Sequence, residues 1–118
     1  MIASVRKGLP IRDLENLRGA LALPIEEVAA KVGMSKATFH RRKLEGKLTP
    51  DESDKVLRFA RLMGHAVSIF GSDDNARQWL SAPQRGLGGS APLDYAETEV
   101  GAREVENLLG RIEYGVYS

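Results

Sequence analysis

An all-α fold is predicted for this chain, and three observations carry the prediction. Apolar residues recur at three- and four-residue steps along most of the sequence, the period of a helix buried on one face. Proline and glycine fall at the joints between these stretches, where they start and stop helices. No stretch alternates apolar and polar residues for the length of a useful strand, so a sheet has nothing to be built from. With 118 residues, 42% hydrophobic and 28% charged, the chain is one ordinary globular domain or two very small modules sharing a core.

The first helix follows Gly8-Leu9-Pro10 and carries Ile11, Leu14, Leu17 and Leu21 on one face, with Asp13 and Glu15 suited to the positive end of its dipole. Pro24 occupies a tolerated first-turn position before a short helix, Ile25 to Val32. Gly33 breaks the chain, Ser35 caps the next helix, which runs from Lys36 to about Glu45, and Gly46 closes it. Thr49-Pro50-Asp51-Glu52 is a capping box with proline at the first helical position. A long central helix follows, with Val56, Phe59, Ala60, Met63, Val67 and Phe70 in register and Leu57, Leu62 and Ile69 widening the stripe. So wide an apolar surface predicts burial on more than one side and suggests a homodimer; the alternative is that the protein's own core consumes it entirely.

Gly71 ends that helix, and Ser72 caps a short one through Ala76, Trp79 and Leu80. Pro83 to Ser90, rich in glycine, is the loop of the chain. Val105, Leu108, Leu109 and Ile112 then mark an amphipathic C-terminal helix ending at Gly115. The expected boundary falls at the end of the central helix, giving modules of residues 1–71 and 72–118.

Residues 25–44 fit a helix-turn-helix. Ala29 is small where the first helix must approach the second, and Gly33 stands in the turn, where a positive φ is cheapest. Val28, Val32, Met34 and Phe39 supply the interior contacts. Arg42 stands where an apolar residue is usual, and Leu44 is expected to take over its packing role. A helix placed in the major groove reads base edges near its N-terminus, which makes Lys36, Ala37, His40 and Arg41 the base-reading candidates. Ser35, Thr38, Arg42, Lys43 and Lys47 are better placed for phosphates. Charge agrees: residues 1–50 hold ten Lys/Arg against five Asp/Glu, whereas residues 51–118 hold seven against eleven. A basic front suits a polyanion such as operator DNA, and an acidic back calls for a different partner. The competing reading is a solvated basic face on a helical bundle.

Little points to catalysis or to a bound cofactor. His40 and His65 are too few and too far apart to suggest a metal site, one belonging to the basic face and the other to the buried central helix. Gly86-Leu87-Gly88-Gly89 lacks the preceding strand and the Lys-Ser/Thr ending of a phosphate loop. Glu97 and Glu99 have no inferable pocket, and Phe59, Phe70 and Trp79 read as core. No enzyme is expected. The absence of cysteine excludes a disulfide framework and a thiolate metal site. No apolar run reaches the roughly 18 residues of a membrane span, and Met1 to Lys7 lack the apolar centre of a signal peptide. A cytoplasmic protein without a membrane partner is expected.

The chain ends Tyr114-Gly115-Val116-Tyr117-Ser118, which leaves aromatic groups beside a helix end, where a partner would cover them. Their packing against the protein's own surface is the alternative. Taken in order, Arg41-Arg42-Lys43, Leu48 to Ser53, Ala76 with Trp79-Leu80, Leu87-Gly88-Gly89 with Pro92-Leu93, Thr98 to Gly101, Val105 and Arg111-Ile112-Glu113-Tyr114-Gly115 resemble the Xre/MbcA/ParS antitoxins. The resemblance spans nearly everything from Leu21 onward.

It implies an Xre-like helix-turn-helix module followed by a small helical toxin-binding domain, in a type II toxin–antitoxin system. The implied partner is a RES-domain toxin, which resembles ADP-ribosyltransferases and consumes NAD or modifies a protein with it. The C-terminal region would cover the toxin's active site while the helix-turn-helix represses the operon. Carried onto this chain, the toxin-facing residues are Arg111, Glu113, Tyr114, Gly115, Val116, Tyr117 and Ser118, with Leu87, Gly88 and Gly89 through Pro92 as a second contact. The alternative is a stand-alone helix-turn-helix regulator whose C-terminal domain serves dimerisation or ligand sensing.

Overall fold

The structure, a computed structural model, describes residues 7–115. Helices α1 (Ile11–Leu21), α2 (Ile25–Lys31), α3 (Lys36–Glu45), α4 (Pro50–Phe70), α5 (Asp73–Ser81), α6 (Pro92–Tyr95) and α7 (Glu99–Glu113) follow one another, with a 3₁₀ turn at Arg85–Leu87. Among the described residues the only β pairing is an isolated antiparallel bridge between Pro10 and Lys47. The all-α expectation therefore holds, and so do most helix limits. The short helix α6 is the addition, started by Pro92 as its first residue.

The chain divides into two compact units between Arg58 and Phe59, inside α4, whereas the expected boundary lay at the helix end after Gly71. Val56 is buried in the first unit, and Phe59, Leu62, Met63 and Ala66 are buried in the second. Those side chains are at most 6% exposed within the single chain, so this part of the stripe belongs to the interior, whereas Leu57, Val67, Ile69 and Phe70 are half-buried and Ala60 is exposed.

In the first unit α1 packs on α2 and α2 on α3. Leu14, Leu17 and Leu21 are the buried face of α1, as their spacing predicts. That helix ends on Ala22, which adopts the left-handed conformation at φ 56° without being glycine. Such a backbone costs an alanine about 1–2 kcal/mol. Burying Leu21 gains about 1.5–3 kcal/mol, enough to hold the stop in place.

The second unit is organised by a close approach. Thr98 caps α7, its hydroxyl accepting a hydrogen bond from the Gly101 N–H at 2.9 Å. Gly101 is buried against the end of α6, where any Cβ would overlap the Tyr95 carbonyl oxygen. Thr98-Glu99-Val100-Gly101 is thus a cap followed by a contact that only glycine allows. It lets Ala102, Val105 and Leu109 turn inward together.

Gly101→Ala is expected to destabilise the protein by about 1–3 kcal/mol, because backbone rather than a side-chain tip stands in the way. Gly110→Ala, in the same helix with nothing within 4 Å of the new Cβ, should be neutral or stabilising by about 0.5–1 kcal/mol. Denaturant unfolding of both variants checks the contrast, and equal effects would remove the close-approach account.

Candidate functional site

The helix-turn-helix is built as its sequence predicts. Val28, Ala29, Val32, Met34 and Phe39 are all buried. Gly33 sits at φ +85°, and its turn is closed by Gly33 N–H to Ala30 C=O at 3.0 Å and Met34 N–H to Ala29 C=O at 2.9 Å. Ser35 caps α3 by accepting from the Thr38 N–H at 3.1 Å, and its hydroxyl donates to the Thr38 hydroxyl at 3.0 Å. The cap therefore uses the Ser35 proton, leaving Thr38 the freer hydroxyl of the pair. Lys47 lies just beyond α3 on a braced backbone. Ile11 N–H bonds the Gly46 carbonyl at 3.0 Å and Leu48 N–H bonds that of Leu9 at 2.8 Å.

The outward face of α3 carries Lys36, Ala37, His40, Arg41 and Lys43, all exposed, with Lys47 exposed beyond it. Positions 36, 40, 43 and 47 form one stripe, and 37 and 41 form its neighbour. Lys43 keeps its ammonium 5.8 Å from the centre of the Phe39 ring, a partial tether that leaves the group at the surface. Arg41 and Lys36 extend from the N-terminal two-thirds of the helix, where base edges are within reach.

Arg42 differs from these. Its side chain is 13% exposed, and its Nε donates to Glu52 Oε1 at 2.8 Å while Nη1 donates to Glu45 at 3.2 Å. Two carboxylates already hold the guanidinium that was expected to meet a phosphate. Leu44, expected to replace Arg42 in packing, is instead 91% exposed. Helical geometry explains this: two residues advance about 200° around the axis, so Leu44 and Arg42 face nearly opposite ways. An arginine fits the interior position because its aliphatic stem packs and its head finds a carboxylate.

That carboxylate is part of the capping box. Glu52 Oε1 accepts from the Thr49 N–H at 2.9 Å, and the Thr49 hydroxyl accepts from the Glu52 N–H at 3.1 Å. Burial by itself would raise the Glu52 pKa. The hydrogen bonds from Arg42 and Thr49 and the nearby positive charge outweigh it, and the carboxyl is held below its ordinary value. The same partnership raises the Arg42 pKa, its hydrogen bond to Glu52 being the largest cause. The capping box was legible in the sequence, but its link to Arg42 was not.

At the other end of the chain, the Leu87-Gly88-Gly89 motif separates into an anchor and a turn. Leu87 is 4% exposed, so its side chain belongs to the core and is withdrawn from any partner. Gly88 and Gly89 are exposed, at φ 67° and 89°, in a turn closed by Gly89 N–H to Gln84 C=O at 2.9 Å. Arg111 is half-buried, Glu113 and Gly115 are exposed, and Tyr114 is 81% exposed at the end of α7. Tyr114 is therefore not folded against this protein's own surface. Beside it Ser68, Ile69, Phe70, Ile112 and Glu113 line an open depression of about 440 Å³. Val116, Tyr117 and Ser118 lie outside the described residues.

One side chain near this end escaped the sequence reading. His65, expected to be simply packed, has Nδ1 2.9 Å from Glu106 Oε2 and Nε2 3.2 Å from Glu113 Oε1. Burial works to lower its pKa, but the two carboxylates win and raise it. The partners lie 41 and 48 residues away, too far for any local pattern to disclose. Among the described residues no group of three or more His, Cys, Asp or Glu is arranged to hold a metal. No helix there is long and apolar enough to cross a membrane.

A helix-turn-helix with a basic exposed face, followed by a second helical unit with an exposed aromatic end, defines a helix-turn-helix protein of the DNA-binding class. Comparison with known proteins gives the family. The model of the antitoxin Xre-like helix-turn-helix domain matches residues 1–61, and that of the antitoxin Xre/MbcA/ParS C-terminal toxin-binding domain matches residues 65–115. Antitoxin Xre of Yersinia enterocolitica is 37% identical over 120 residues, covering 100% of this chain and 81% of the relative. Antitoxin Xre of Photorhabdus laumondii is 38% identical, covering 98% and 80%. A relative from Sphingobium, the Prs ADP-ribosylating antitoxin, is 28% identical over 99% of this chain and 80% of its own length. The chain belongs to the Xre/MbcA/ParS antitoxin family.

Because the Glu52 pKa is lowered in the folded protein, its stabilisation is complete above the ordinary value of 4.5 and is lost as pH falls through the folded value. Glu52→Gln should be less stable than the wild type at pH 7, with the gap closing in more acidic solution. Urea unfolding across the acid range tests this, and a gap that stays constant to pH 3 would show that the carboxylate is not what holds Arg42.

Proposed function

We propose that this chain is the antitoxin of a type II pair: it neutralises a RES-domain toxin by covering its active site and represses its own operon through α3. The exposure of Tyr114 at the end of α7, inside the region matched by a toxin-binding domain, is the observation that carries the first half. Tyrosine at a helix end offers large contact area at little conformational cost and is a preferred interface anchor. Tyr114 and Gly115 at the end of α7, with Arg111 and Glu113 preceding them, form the proposed contact, continued by Val116, Tyr117 and Ser118. Gly88 and Gly89 offer a second, backbone contact. NAD enters only as the toxin's substrate, and the name of the Sphingobium relative, an ADP-ribosylating antitoxin, links a relative of this chain to ADP-ribosyl chemistry.

For the DNA half, the exposed charges at Lys36, Arg41, Lys43 and Lys47 support binding of operator DNA in the cytoplasm. Arg41 and Lys36 are suited to base edges, His40 and Ala37 lie beside them, and Thr38, Lys43 and Lys47 are suited to phosphates. Arg42 and Ser35 act on the docking surface mainly by holding α3 in shape. The support for a homodimer is the paired half-sites that helix-turn-helix readers use, together with the half-buried apolar residues of α4, Leu57, Val67, Ile69 and Phe70.

Growth rescue tests the inhibitor function. Co-expression with the adjacent gene product should relieve growth arrest, and the two proteins should co-purify. Tyr114→Ala should weaken neutralisation while leaving thermal unfolding and DNA binding unchanged. Rescue that survives truncation before Arg111 would sink the assignment, and a neighbour that is not toxic would favour a stand-alone regulator.

Titration of upstream operon DNA against salt tests the DNA half. Log K should fall with log [salt] at a slope of about −0.9 per phosphate neutralised. Lys47→Ala should flatten that slope by about one, whereas Arg41→Ala should cost about 1–3 kcal/mol and relax sequence preference. A flat salt response would contradict phosphate contact altogether.

A further inference from the structure

The geometry points to His65 as a positioning residue: as an imidazolium donating to Glu106 and Glu113, it pins the last turn of α7 to α4 and presents Tyr114 and Gly115 to the toxin, so toxin affinity falls as His65 loses its proton. This rests on the reading of the α7 end as the toxin contact.

Both ring nitrogens face carboxylate oxygens, at 2.9 Å and 3.2 Å. Only the doubly protonated ring has two N–H donors. A neutral ring has one donor and one acceptor, so one of its nitrogens would meet a carboxylate lone pair to lone pair. Glu106 and Glu113 lie seven residues apart, on one stripe of α7, with Leu109 buried between them. Glu113 is the final residue of that helix, directly before Tyr114. The His65 side chain is 27% exposed, close enough to solvent to exchange its proton and shielded enough for the pairs to matter.

The surrounding charges are compatible with this clamp. From α7 the ring is faced by Glu106 and Glu113. Arg103, one turn before Glu106, lies 3.8 Å from Glu99, and Arg111 is half-buried two residues before Glu113. On α4 itself, Arg61 precedes His65 by one turn and Arg58 by two, and the Ser68 hydroxyl donates to the His65 carbonyl at 2.8 Å. Burial favours loss of the ring proton, and the two carboxylates oppose it. The balance recorded for His65 is a raised pKa despite its partial burial. A group whose pKa is raised on folding stabilises fully below its ordinary value of 6.5 and loses that contribution as pH climbs through the folded value.

The test uses the full-length protein and the purified product of the adjacent gene. Amide protection at residues 109–115, taken relative to the intrinsic base-catalysed exchange rate at each pH, should fall as His65 titrates, with the titration followed by NMR of the ring. Calorimetric affinity for the adjacent gene product should weaken roughly fivefold over the same pH range, the scale of a partly exposed ion pair. His65→Gln, which can donate only from its amide nitrogen, should remove both pH dependences, and Glu106→Gln should shift the NMR midpoint downward. Protection at the α7 end that stays constant as His65 titrates, or a His65→Gln protein that keeps the wild-type profile, overturns the clamp. Affinity that ignores pH while Tyr114→Ala weakens it overturns the positioning role alone. If Tyr114→Ala leaves affinity unchanged, the underlying toxin-contact reading fails, and the exchange data still decide whether the clamp exists.

Discussion

Glu52 joins two jobs that the sequence presents separately. As the third residue after Thr49 it completes the capping box and starts α4, and through Arg42 it holds the helix that carries the basic face. Replacing the carboxylate would leave the Thr49 N–H without its acceptor and a guanidinium of low exposure without its main partner. Removing one member of such a pair is costly, because the other keeps its desolvation penalty. The orientation of α3, and with it the display of Lys36, Arg41 and Lys43, depends on this link. An arginine in the interior register of a reading helix is tolerable only because a carboxylate waits for it.

A similar economy governs the C-terminal unit. Gly101 lets α7 approach the Tyr95 carbonyl, and that approach aligns Ala102, Val105 and Leu109 with the core. Once the inner face is set, the outer positions follow from the 3.6-residue period. Val100 is 70% exposed near the start of α7, and Tyr114 is exposed at its end. The Leu87-Gly88-Gly89 motif divides along the same line, with an apolar anchor inside and a glycine turn outside. A motif that reads as one functional unit in sequence can thus have its side chain in the core and only its backbone available to a partner.

The helices and their caps were legible because their causes are local. Ser35, Ser72 and Thr98 each accept from an N–H three residues on, and Gly33, Gly46 and Gly71 each adopt the left-handed turn their positions call for. The buried faces of α1 and α4 followed from apolar spacing. The exposed basic face of α3 was legible for the same reason, since a residue's side of a helix is set by its number. Leu44 was misjudged by neglecting that rule, as its 200° offset from Arg42 shows.

By itself, then, the sequence determined helix content, the caps, the turn glycines, the charge division and the residues that face outward on α3. Each depends on neighbours within about four positions, where backbone geometry dictates who meets whom. Tertiary structure alone decided that Arg42 pairs with Glu52, that His65 lies between Glu106 and Glu113, that Leu87 is core, and which residues of the α4 stripe are fully buried. Those outcomes depend on which faces of different helices come together. That choice is made by packing across long sequence separations, and no local period records it.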